Sequence, residues 1–142
     1  MPVGVGQSTG SLPAQPSRAV YWLSVVLSAL PVAMMLLSAA MKIAQPPAVV
    51  QGMSELGLQL WTLPVLAVLE IGSALIYAVP RTSVLGAILV TGYLGGAIAT
   101  HLRVGQAALI GPAILALSAW GGLYLREERL RALIPLRALP RG

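Results

Sequence analysis

Few residues in this chain could do chemistry, and the first is Glu70, a lone carboxylate inside the apolar run 63–79. An ionised carboxylate is costly in hydrocarbon, and a membrane helix keeps one only where something offsets that cost. Nine residues separate Glu70 from the end of its run, roughly 13 Å of helix rise. The same depth on the following run falls near Thr91, Gly92 and Tyr93, so Thr91, Tyr93 or a serine of the first run is the expected hydrogen-bond partner. His101, the single histidine, lies toward the other end of that run, and Lys42 stands at a similar level on the first. Lys42, Glu70, Tyr93, Thr100 and His101 are therefore expected to line a small polar cavity at one side of the bundle. Each has a plainer reading as well. Glu70 could be a hydrogen-bonded packing group and His101 an ordinary interfacial histidine. Lys42, at a helix end, is expected to snorkel past it toward the surface.

Other chemistries are excluded by composition. The chain has no cysteine and one histidine, which removes thiolate nucleophiles, disulfide exchange and Cys- or His-cluster metal sites. No metal site and no built-in cofactor are expected. The net charge of +5 comes without the basic stripe and interleaved aromatics of a nucleic-acid surface, so no nucleic-acid partner is expected.

The elements that must position these residues are apolar helices. Of 142 residues 57% are apolar and 9% charged, against roughly 25% charged in soluble domains. Four runs, residues 19–43, 61–79, 83–102 and 106–125, each approach the ~20 residues that span a bilayer. The expected fold is all-α, a membrane-embedded four-helix bundle, with residues 1–18 a disordered tail and 126–142 a basic amphipathic one. The first run is too long for the roughly 7–15-residue core of a cleavable signal, so it is expected to stay as a span. With four spans the termini share a side. Seven arginines (18, 81, 126, 129, 131, 137, 141) lie there, against Lys42 and Arg103 opposite. That asymmetry places both termini in the cytoplasm, in a multi-pass membrane protein. Trp22, Arg81 and Arg126 would anchor the inner interface, Trp61 and Arg103 the outer one.

Finer features follow from punctuation. Pro31 predicts a kink or tilt in the first span. Pro46-Pro47 to Gly57 predicts a short interfacial helix between the first two spans, proline opening it and glycine closing it. Gly92-xxx-Gly96-xxx-Thr100 is a close-packing pattern, read first as packing inside the monomer and second as a homo-oligomer seam. Beyond residue 126 an amphipathic helix with a Glu127–Arg131 pair is expected to lie on anionic lipid.

These residues also resemble a known family. The segments 38–42 (SAAMK), 48–57, 69–72 (LEIG), 79–81 (VPR), 85–86 (LG) and 96–105 (GAIATHLRVG) are similar to the DoxX-like family over about residues 19–126. The resemblance implies a small four-helix protein of the bacterial cytoplasmic membrane, and it singles out Lys42, Glu70 and His101. Ala39-Ala40 and Ile43 depart from the glycine before and leucine after the lysine in many members. The family's namesake is a membrane subunit of a thiosulfate–quinone oxidoreductase. The resemblance thus implies an accessory membrane subunit, or a quinone- or lipid-site protein of the cell envelope, and by itself assigns the chain no catalytic activity. A quinone, the bilayer, and a membrane or peripheral oxidoreductase are the implied cofactor and partners. Two other functions fit the residues: a small proton-coupled transporter working through Glu70, and a structural scaffold or assembly factor.

Overall fold

The computed structural model describes residues 17–131. The tail read at 1–18 falls almost wholly outside that range, as does the amphipathic tail past Arg131. Among the described residues the chain is all-helical: α1 (Arg18–Ala44), α2 (Pro47–Glu55), α3 (Thr62–Ala78), α4 (Ser83–Arg103), α5 (Ile110–Arg126) and α6 (Glu128–Arg131).

Helix α1 runs unbroken through the fully buried Pro31. Its buried residues are Ser24, Ser28, Pro31, Met35, Ala39 and Lys42, the three-and-four spacing of one helix face. Gln45, in the left-handed region at φ 49°, ends it by donating to Met41 O. Pro46 and Pro47 then open α2. Glycine closes both α2 and α4 by the same device. Gly57 (φ 70°) and Gly105 (φ 78°) let the next residue's N–H fold back, Leu58 onto Met53 O and Gln106 onto His101 O. Those bonds satisfy carbonyls that a helix end otherwise leaves orphaned.

The fourth long helix begins at Ile110, four residues later than its apolar run. Gln106 is spent capping α4, and Leu109 N–H turns back onto Ala107 O. Pro112 fits in the first turn of α5, where no intrahelical N–H bond is lost. At the far end Glu127 is extended and separates α5 from α6. Arg131 consequently pairs with Glu128 at 3.6 Å in place of the expected Glu127.

Helix α1 packs on α3 and α5, and α4 packs on the same two. The four long helices thus close a ring in which α1 faces α4 and α3 faces α5. Half of this ring is solid: Met35, Ala74, Tyr77, Ala87, Val90, Leu94, Ala119 and Leu123 form its core. Tyr77 is fully buried there and donates to Ala119 O at 2.7 Å, tying α3 to α5. Outward, the long helices present bare aliphatic surface, with Val26, Val68, Ile88 and Leu117 all more than half exposed. A surface this apolar fits lipid as solvent. Helices α1 and α4 have the length and composition to cross a membrane.

Two glycines carry the close packing, and they are not the expected ones. A Cβ on Gly86 would collide with the backbone of Tyr77 and Ile76, and one on Gly122 with Ser28 and Ser24. Gly92 and Gly96 have no such neighbour: a Cβ on either would meet nothing within 4 Å. The reading of Gly92 and Gly96 as packing residues inside the monomer is therefore corrected. Spacing alone could not say which glycines face a helix and which face a void. Gly86→Ala is expected to destabilise the fold by about 1–3 kcal/mol, the usual range for overpacking, while Gly92→Ala stays close to wild type. Thermal unfolding in detergent, followed by helical circular dichroism, measures both.

Candidate functional site

Lys42 comes from the last turn of α1 and Glu70 from the middle of α3, and the two meet inside the ring. The Lys42 ammonium donates to both carboxylate oxygens of Glu70 at 3.1 Å. It also donates to Ser38 Oγ at 2.6 Å, and Ser38 Oγ donates to Glu70 Oε1 at 2.9 Å. Ser38 and Lys42 are one turn apart on α1, so the serine bridges the two charges. Glu70 and Lys42 are only 3% and 6% exposed, hence this is a buried, fully hydrogen-bonded pair.

The expected snorkelling of Lys42 does not occur, for a geometric reason. Side chains on a helix lean toward its N-terminus. Lys42 stands near the C-terminal end of α1, so its stem leans back toward the helix middle, where Glu70 waits. The serine expected to reach Glu70 is Ser38. Thr91, the other expected partner, is engaged elsewhere: it donates to Ala87 O and accepts from Trp120 Nε1 at 2.8 Å. Tyr93 stands close enough to feel the Glu70 charge.

The pair forms the floor of a cavity of about 1040 Å³ between α1, α3, α4 and the start of α5. Its volume exceeds the small polar hollow expected, and its walls are mainly apolar, with Met34, Met41, Leu66 and Leu69 prominent. All five expected residues, Lys42, Glu70, Tyr93, Thr100 and His101, line it. Gly92 and Gly96 line it too, and their missing side chains account for much of the room on the α4 side. His101 Nδ1 lies 2.8 Å from Ala97 O, and Thr100 Oγ1 donates to Gly96 O at 2.8 Å.

Helix α2 covers the cavity, presenting Val49, Gly52 and Met53 to it, yet none of its own residues is buried. What ties it down is Arg103. That guanidinium donates to Leu56 O at 2.5 Å, joining the end of α4 to the end of α2. Of the other expected anchors, Trp22 and Trp61 are 63% and 66% exposed on opposite ends of the ring. Arg81 is exposed, and the Arg126 guanidinium sits 5.6 Å from the centroid of the Tyr77 ring. Two points escaped the sequence reading: which serine of the first run bridges the pair, Ser38, and the role of Arg103 as the tie to α2. The i,i+4 spacing of Ser38 and Lys42 was a usable signal for the first. Nothing in the sequence pointed to the second.

An all-helical ring with a bare aliphatic outer surface, two helices long and apolar enough to cross a membrane, and a cavity with a buried ion pair at its floor is the make-up of a small helical membrane protein. The chain belongs to the DoxX-like family, whose family model matches residues 26–122, a stretch that holds the whole ion-pair cluster and the α4 wall. No curated protein and no solved structure matches the chain.

The pair makes a testable energetic signature. Lys42→Met leaves a short, deep carboxylate without its cation, a loss on the order of 3–5 kcal/mol for a broken buried pair. Glu70→Leu should cost less, because the long lysine can swing to the cavity mouth. The double variant should recover most of the Lys42→Met loss. Unfolding midpoints of the three variants in detergent measure this, and additive losses would contradict the pairing.

Proposed function

We propose that this protein spans the bacterial cytoplasmic membrane four times, with both termini cytoplasmic, and binds a lipid-soluble ligand in its outward cavity. The ligand class is a quinone or a lipid, and the protein serves as an accessory membrane subunit beside an envelope oxidoreductase. The orientation rests on the arginine asymmetry. The ligand reading rests on one observation, the cavity of about 1040 Å³ with apolar walls and a buried Lys42–Glu70 floor. Pockets for small molecules have this make-up, mostly apolar with a few convergent polar groups, and this one lies at the large end of the usual roughly 300–1,000 Å³.

A proton-coupled transporter is less well supported. Its carboxylate would have to be free to exchange proton and cation, whereas Glu70 already holds an internal cation. Its path would also have to cross the packed half of the ring, which Tyr77, Val90 and Leu123 fill. A pure scaffold leaves the cavity without a use.

Capture in mild detergent through a C-terminal tag tests the proposal. About one equivalent of a quinone or lipid should be retained per chain, as read by mass spectrometry of the extract, together with an oxidoreductase subunit. Recovery of neither ligand nor partner would overturn the reading.

A further inference from the structure

The hydrogen-bonding inventory of the cavity is lopsided, and it bears on what kind of head group fits. At the floor the positive and negative charges cancel. Each of the three ammonium hydrogens of Lys42 has an acceptor, in Ser38 Oγ and the two Glu70 oxygens. The Ser38 hydrogen is spent on Glu70 Oε1. No cationic donor is left over for an incoming anion, and no unpaired carboxylate is left for a cation.

The Tyr93 hydroxyl, a donor as well as an acceptor, stands beside Glu70; at the other end of the α4 wall, what remains free on His101 and Thr100 is acceptor capacity. His101 Nδ1 faces the Ala97 carbonyl, which has no hydrogen to give, so the neutral ring carries its proton on Nδ1. Its Nε2 is then a lone-pair acceptor with no partner among the described residues. Thr100 has committed its hydrogen to Gly96 O, so its oxygen too can only accept. Tyr93, Gly96–Ala97 and Thr100–His101 share one face of α4, and eight residues from Tyr93 to His101 give roughly 12 Å of wall. Gly92 and Gly96 leave that wall bare, with no neighbour within 4 Å of where a Cβ would stand.

We propose, building on the ligand-binding reading above, that the cavity selects an uncharged amphiphile whose head donates a hydrogen bond, a phenol or alcohol hydroxyl, to the His101–Thr100 end of the α4 wall. The head lies over the bare backbone of Gly92 and Gly96, and the apolar tail takes the methionine- and leucine-lined remainder. A charged head would enter a low-dielectric site with its counter-charges already taken, and that is strongly unfavourable. An ether head at that end would set an acceptor against acceptors and leave them unsatisfied.

Three probes with one tail test this: para-decylphenol, para-decylanisole and para-decylbenzoate, titrated against the purified full-length chain in detergent with tryptophan fluorescence as readout, Trp61 being the tryptophan that lines the cavity. Saturable binding of the phenol, about tenfold tighter than the anisole, is expected from one hydrogen bond to an otherwise unsatisfied acceptor. The benzoate should bind more weakly than the phenol. In His101→Phe the phenol should lose about tenfold and the anisole should be unchanged. The paired variant Gly92→Leu and Gly96→Leu should stop both neutral probes from binding while keeping the wild-type unfolding midpoint. Equal affinity for phenol and anisole, or an equal loss of both in His101→Phe, would overturn the head-group inference and leave the ligand-binding reading standing. Absence of saturable binding by all three probes would overturn both.

Discussion

A cation and an anion held together out of water constrain everything else in this molecule. Taken alone, neither Lys42 nor Glu70 is tolerable at its position, since desolvating a single charge costs several kcal/mol even after relaxation. Together, with Ser38 supplying the remaining hydrogen bonds, they close a neutral network. That network fixes the register of α1 against α3, because sliding either helix by one residue would rotate a charge out of reach. It also sits where the packed half of the ring gives way to the cavity. Replacing such a pair by well-fitted apolar residues is often neutral or stabilising, so its presence at a cavity floor is weak evidence that it serves stability.

The two halves of the ring are built by different residues on the same helices. In α4, Gly86, Ala87 and Val90 are packed, whereas Gly92 and Gly96, further along the helix, face open space. In α3, Tyr77 is sealed and hydrogen-bonded, whereas Leu66 and Glu70 line the void. Helix α2 and Arg103 then cover the open end with little contact of their own. This asymmetry suits a one-sided binding site: a rigid plug toward the arginine-rich face, and a hollow toward the face with Lys42 and Arg103.

Much of this was legible in the sequence, for reasons that can be named. The serine, proline and lysine stripe of α1 repeats at helical spacing, so its buried face could be read directly. Glu70 stood out because a carboxylate in an apolar run is costly wherever it lies. The cavity residues were found by depth alone, since antiparallel helices of similar length bring equal depths together. Depth could not give direction, which is why Lys42 was expected to point outward. Glycine spacing likewise does not say what lies opposite a glycine: Gly86 meets Tyr77, and Gly92 and Gly96 meet the void. The hydrogen bond from Arg103 to Leu56 O spans a long separation between two turns, and no local pattern encodes it.

Cysteine accessibility most directly tests the central claim, a hollow half reaching the Lys42–Glu70 pair from outside and a sealed half beneath it. The native chain has no cysteine, so single replacements report without background. Gly96→Cys and Thr100→Cys in intact membranes should react with a membrane-impermeant thiol reagent added from the periplasmic side. Val90→Cys and Ala87→Cys should stay unreactive from either side. Labelling of Val90→Cys as fast as Gly96→Cys, or labelling of Gly96→Cys only from the cytoplasmic side, would contradict the account.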